Sequence, residues 1–412
     1  MDLLPHTAIL EVLKKSKSWR DISYVCSLNN TIREICMIHK NVIIAHVLFN
    51  KFGKNALSQD QYWEIGTNTE TTQELVNLGV NINDDEMFHA AQLGLVDIIR
   101  IFHNNGGNIR AQDDHMLTIA ARDGHINLVI YLLDNGADPR VNDPVENIIF
   151  QAIISGNIEL VNYLHVQRNI YIPDGGLLIA LAGFSTGLNM IEYLLQNGAN
   201  PNIENSQALI EAVEIESDEL VLLLIQYHVD VQARDNEAII MASESANTEM
   251  LEILLENGAN PNARDGIPLF NAVENERIDN VRLLLEHNAV VTRDAFVKSA
   301  TGSVEIMQLL IEADNTMLEE HGYDAMITAI DEELRNIVRF LIQSGLPFHE
   351  DYLYEAVLSR SDSSTIVRTI LTLYTNIPDE VLEHAIELAE NEGNENISDY
   401  INSMFSESSV SN

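Results

Sequence analysis

The chain is poor in cysteine, in basic residues and in long apolar runs, and each shortage removes a class of protein. Of 412 residues only Cys26 and Cys36 are cysteines. A disulfide framework is therefore not what holds the chain together, and the expected compartment is reducing, intracellular and cytoplasmic. No window approaches ~18 uninterrupted apolar residues, so no membrane-spanning helix is expected. The start, MDLLPHTAILEVLKK, carries an acid at Asp2 and has its basic residues behind a short apolar run, the reverse of a secretory signal.

Lys and Arg number 23 against 63 Asp and Glu, a formal net charge of −40. The deficit is uneven. Residues 1–54 hold eight basic against four acidic groups, net +4, which leaves 15 and 59 for the remainder, net −44. Beyond Arg368 there is neither Lys nor Arg. A field of that sign repels phosphate, so nucleic acid is not an expected partner. The shift marks a boundary at 55–70 between a small basic head and a long acidic body.

Catalytic patterns are missing too. The thirteen histidines form no His-Glu-x-x-His, and neither a Gly-x-Gly-x-x-Gly nor a P-loop occurs. The cysteines have no His and Asp constellation that would mark a nucleophile. In so acidic a chain, any chosen pair of carboxylates carries no information. His89, His103 and His115 stand singly, and His125 follows Gly124 where packing or a backbone hydrogen bond outweighs metal binding. No catalytic residue, cofactor or metal site is expected.

What the chain has is repetition. LLDNGADP (132–139), LLQNGANP (194–201) and LLENGANP (254–261) start 62 and 60 residues apart. Each follows a run with apolar residues at helical spacing, such as Ile126, Leu128, Val129, Leu132 and Leu133. Gly136 then sits where a helix ends in a left-handed residue, and Pro139 cannot continue a helix. Gly106, Gly198, Gly258 and Gly345 hold equivalent positions, and all five are structural turn glycines. Midway between the copies, YLHVQRN and LLIQYHVDV keep the apolar face without the Gly, so the true period is 30–32. Each period also holds a shorter helical run with a small residue near its middle: Ala91, Ala121, Ala152, Ala212, Ala242, Ala272, Ala329 and Ala356. Two short helices in ~30 residues cannot bury a core alone and must stack on their neighbours.

DGHINLVIYLLDNGADP (123–139) resembles the ankyrin repeat, and ANPNARDGIPLFNAV (259–273) is similar to that family's loop leading into its Thr-Pro-Leu-His helix start. No copy has the full tetrapeptide; Ile267-Pro268-Leu269-Phe270 is nearest, and the short period suggests trimmed hairpin fingers. The resemblance implies an all-α, ankyrin-type α-solenoid of about ten short repeats over 68–375; the polar, acidic end of the chain adds capping helices at 376–405, finished through Tyr400, Ile401 and Phe405, and a disordered tail at 406–412. The resemblance also implies a monomer that binds a protein through loop tips and first helices. The acidic charge adds that this target carries a basic patch. The Arg-Asp pairs at 234–235, 264–265 and 293–294 fall in the loops, where Asp is expected to close the turn through its own backbone.

Residues 1–58 do not fit the repeat. LLPHTAILEVL, DISYVCSLNNTIREIC and NVIIAHVLFNKFG read as three short helices, too few to hold much core without a partner. Leu4-Pro5, Val12-Leu13, Asp21-Ile22 and Val25-Cys26 resemble an F-box, in particular the F-box-like heads on ankyrin proteins of large DNA viruses. That resemblance implies docking onto the small acidic adaptor of a cullin ubiquitin ligase through Leu4, Pro5, Val12, Leu13, Ile22 and Val25. The other reading is a scaffold or decoy whose head only caps the first repeat, as solenoid ends require.

Overall fold

Helices of nine to twelve residues recur at the predicted period, each too short to be stable alone and each buried along one face. A computed structural model describes residues 10–11, 13–15, 22, 26, 30–52, 68–139, 147–182, 187–359 and 363–408. These fall in two compact units, Met1–Asn200 and Pro201–Asn412.

The first unit opens with the head helices α1 (Asn30–Ile38) and α2 (Lys40–Phe52). Leu13, Ile22, Ile35, Ile43 and Val47 form its small core, with Leu10, Cys26 and Cys36 packed against them. Contrary to the expectation of a reduced chain, Cys26 and Cys36 are joined as a disulfide across a separation of ten residues. Both sulfurs border the same apolar cluster, which is how two cysteines so close in sequence come to face each other. The bridge staples a core too small to hold itself.

The head is seated on the repeats. α2 packs along α3 (Thr69–Asn77), whose Thr71, Thr72 and Leu75 are buried. The Thr71 hydroxyl donates to the Asn41 carbonyl at 3.3 Å, the Asn41 amide donates to Glu70 at 2.9 Å, and His46 lies 3.5 Å from Glu74. Repeats follow as α4 (Asp84–Gln92) with α5 (Val96–Asn104), and α6 (Ala111–Arg122) with α7 (Ile126–Asp134). Next come α8 (Ile148–Ile154) with α9 (Ile158–Asn162), and α10 (Gly176–Ala182) with α11 (Gly187–Gln196). The degenerate YLHVQRN copy is not a plain α-helix end. Tyr163–Gln167 widen into a π turn, with the Arg168 amide donating to the Tyr163 carbonyl at 3.1 Å.

The second unit continues as α12 (Ile203–Glu214) with α13 (Asp218–Gln226), α14 (Ala233–Glu244) with α15 (Thr248–Glu256), and α16 (Ala263–Glu274) with α17 (Ile278–Glu286). Then come α18 (Arg293–Ser299) with α19 (Val304–Ala313), α20 (Thr316–Asp331) with α21 (Arg335–Gln343), and α22 (Glu350–Leu358) with α23 (Ser363–Leu373). α24 (Asp379–Asn391) and α25 (Glu395–Ser408) close the chain. Residues 406–408, expected to be disordered, are thus the last turn of α25; 409–412 lie outside the described residues.

The first helices stack in sequence, α4 on α6 on α8 on α10 in one unit and α12 through α24 by alternate helices in the other. The recurring alanines make this spacing possible: Ala91, Ala121, Ala152, Ala212, Ala242, Ala272, Ala329 and Ala356 are all at 0% exposure. Leucines such as Leu128, Leu132, Leu194, Leu224, Leu254 and Leu284, also fully buried, contribute roughly 2 kcal/mol each from burial. Both units are α-solenoids.

Candidate protein-binding surfaces

The head carries an open apolar groove of about 430 Å³, lined by Ile22, Cys26, Arg33, Cys36, Met37, Lys40, Ile43 and Ile44. Beside it Met37 and Ile38 are 74% and 63% exposed. Large aliphatic side chains are rarely left in water in adjacent pairs, and here two cations, Arg33 and Lys40, flank them. Of the docking residues expected from sequence, Leu4, Pro5, Val12 and Val25 lie outside the described residues. Leu13 is a correction: at 0% exposure it belongs to the head core and offers no surface. Ile22, at 7%, is part of that core and of the groove floor at once. Sequence reasoning missed Arg33, Met37, Ile38 and Lys40, although an apolar pair flanked by basic residues was there to be noticed.

The turn glycines have φ of +96° (Gly106), +93° (Gly136), +90° (Gly198), +92° (Gly258) and +99° (Gly345). At Gly136 the helix end is a Schellman motif: the Ala137 amide donates to Leu132 at 3.0 Å and the Gly136 amide to Leu133 at 3.3 Å. The copies without Gly keep the same turn at a conformational cost, with His228 and Asn288 at φ +63° and +65°.

Four of the described loops then turn back through three left-handed residues, at Gln112–Asp114, Glu204–Ser206, Arg234–Asn236 and Arg264–Gly266. Here the expected role of the Arg-Asp pairs needs correcting. The turn is closed two residues upstream of Gln232 and Asn262, whose amides donate to the side chains of Asp230 and Asn260, each at 3.0 Å. The arginines instead tie repeat to repeat: Arg264 Nη2 donates to the Arg234 carbonyl at 2.9 Å, and Arg234 Nη2 to the Glu204 carbonyl at 2.8 Å. Arg293 starts α18 and pairs with Asp324 at 2.9 Å. A second tie was not foreseen. Asn202 accepts from the Asp230 amide and donates to the His228 carbonyl, and Asn262 does the same to Val290 and Asn288. The recurrence of Asn-Pro-Asn at 200–202 and 260–262 was the signal.

At the other end of the repeats, His125 Nε2 donates to the Gln92 carbonyl at 2.8 Å, with Gly94 beneath it; a Cβ at Gly94 would stand 2.6 Å from the imidazole. His103 bonds the Tyr131 hydroxyl at 2.9 Å, and His115 meets Phe88 edge-on. These histidines tie and pack repeats. Among the described residues no group of three or more His, Cys, Asp or Glu could hold a metal ion, and no helix is long and apolar enough to cross a membrane.

Titration is perturbed at structural positions. Burial pushes the Glu86 carboxyl above the ordinary carboxylate range, against the Asn83 amide it accepts from in a capping box. Burial likewise raises the Tyr352 hydroxyl to about 12, and raises Tyr374, whose hydroxyl donates to the Leu346 carbonyl at 2.9 Å.

Stacked two-helix repeats, tied by side chains at both ends, define a helical solenoid. The family model for ankyrin repeats (three copies) matches residues 63–143, 117–205, 177–265 and 209–295. The chain belongs to the ankyrin-repeat family. No curated protein matches it.

Proposed function

We propose that the chain is a receptor in which the repeats capture a protein with a basic patch and the head recruits a cullin-type ubiquitin ligase through its small acidic adaptor. The observation that carries the head's part is the open groove between Arg33 and Lys40. α2 packs one side on α3, while Met37 and Ile38 at the end of α1 remain exposed. An apolar floor with a cationic rim suits an apolar side chain flanked by carboxylates, and the rim charges chiefly raise the association rate. The body's net −44 supports a basic target.

The second reading, a scaffold or decoy whose head is only a cap, is favoured by the same seat of α2 on α3. Deleting the head would strip that cap and confuse the two readings. Surface substitution separates them: Met37→Asp alters an exposed side chain. Under the receptor reading purified adaptor binds the full chain and Met37→Asp abolishes binding. Absence of binding to the unaltered chain leaves the cap.

A further inference from the structure

Inside the second unit, a cleft of about 330 Å³ opens between α12 and α14, lined by Val213, Glu214, Glu216, Met241, Glu244 and Met250 among others. We propose that this cleft receives a lysine side chain from a basic segment of a protein partner. The inference rests on the reading of the acidic body as a protein-binding surface, and it assigns that surface a place and a chemistry.

The cleft has an apolar floor and an anionic rim. Val213 and Met250 are buried at its base and Met241 is half-buried on its wall. Glu214, Glu216 and Glu244 are exposed around it. Glu216 accepts from the Ser245 hydroxyl, at 2.7 Å, and Glu244 from the Asn271 amide, at 2.7 Å. Among the described residues none of the three carboxylates has an ion-pair partner. The nearby Arg277 gives its Nε to the Glu244 carbonyl rather than to a carboxylate. From Pro201 to Glu256 the sequence holds thirteen acids and one cation, Arg234, which is engaged by Glu204 and Gln207.

The following repeats show what belongs there. Met241, Asn271 and Lys298 hold the same position, immediately before the small buried residue of their helix. Glu214, Glu244 and Glu274 hold the position facing it from the preceding repeat. Lys298 Nζ lies 3.3 Å from Glu274, and the Asn271 amide bonds Glu244. In the first of the three sites the apolar Met241 offers Glu214 no donor among the described residues, and the cleft opens beside it. A lysine from outside would lay its methylenes on Met241 and Met250 and set its ammonium between Glu214 and Glu216, as Lys298 does internally with Glu274.

The test uses a fluorescein-labelled decapeptide of alternating Lys and Ala, and its fully acetylated form, titrated onto the full chain by fluorescence anisotropy. The unacetylated peptide should bind and the acetylated one should not. Glu214→Gln should weaken binding about fivefold. Met241→Lys, which fills the cleft with the chain's own ammonium, should weaken it about tenfold. Glu256→Gln removes the same unit of charge from an exposed site elsewhere and should change it by less than about twofold. Circular dichroism melts matching the unaltered chain establish that each variant is folded. Equal weakening by Glu214→Gln and Glu256→Gln would overturn the cleft while leaving the acidic body as a basic-partner surface. No binding to the unaltered chain would overturn both.

Discussion

Replacing Gly136 by Ala or Val isolates the conformational part of the repeat turn. A Cβ built at Gly136 meets nothing within 4 Å, so no clash contributes. What remains is φ of +93°, a backbone state that costs an L side chain roughly 1–2 kcal/mol. A β-branched Val should stand at the upper end and Asn, which tolerates the left-handed region, well below Ala. Long repeat arrays do not unfold as one cooperative step, so a global melt would blur the effect. Native-state hydrogen exchange is sharper. The Ala137 amide, held by the Leu132 carbonyl at 3.0 Å, should lose protection by about 5- to 30-fold in Gly136→Val. The amides of α15, some four repeats on, should be unchanged. A loss below about twofold would refute the left-handed turn as the element that ends the repeat.

Reducing the Cys26–Cys36 bridge, or replacing Cys26 by Ser, should destabilise the head by about 3 kcal/mol, the loop-closure value for a separation of ten residues. Exchange in α1 should then accelerate while α7 stays protected. Glu86 ionises less readily in the fold than in the unfolded chain, whose value is near 4.5. Its contribution is therefore present below that pH and lost as pH rises through the raised folded value. Glu86→Gln, which keeps an acceptor for Asn83, should be neutral or stabilising at pH 7 and flatten the stability–pH slope just above 4.5, as read from urea midpoints. Tyr352 should ionise at about 12 in a spectrophotometric titration. Because its folded value is raised, stability should fall as pH climbs from ~10 to that value.

The repeat was legible because a helix end leaves a short, local signature: a Gly in a left-handed turn, a following Pro, and leucines one helical face apart. His228 shows why the LLIQYHVDV copy was harder to see. The turn survives there with φ of +63° in a residue without glycine's freedom, because the stacked neighbours over-determine it. The π turn at Tyr163–Gln167 had no such signature. Long-range ties were less legible. Arg264 reaching the Arg234 carbonyl and Asn262 clamping the next loop depend on which repeat lies alongside, and only their 30- and 60-residue recurrences hinted at it. In the head, Leu13 and the exposed Met37 read alike as apolar helix residues; which faces core and which faces water is set by where α2 sits. The disulfide was missed because composition argues from compartment, whereas pairing is decided by the geometry around Ile35 and Ile43.

The proposed receptor bridges two proteins, and a three-component assay tests that bridge most directly. Purified acidic adaptor and the labelled lysine–alanine peptide are mixed with the full chain in an analytical ultracentrifuge. One species carrying both is expected. Met37→Asp should release the adaptor and retain the peptide, and Glu214→Gln should weaken the peptide and retain the adaptor. Absence of adaptor from the complex, or displacement of one ligand by the other, would contradict it.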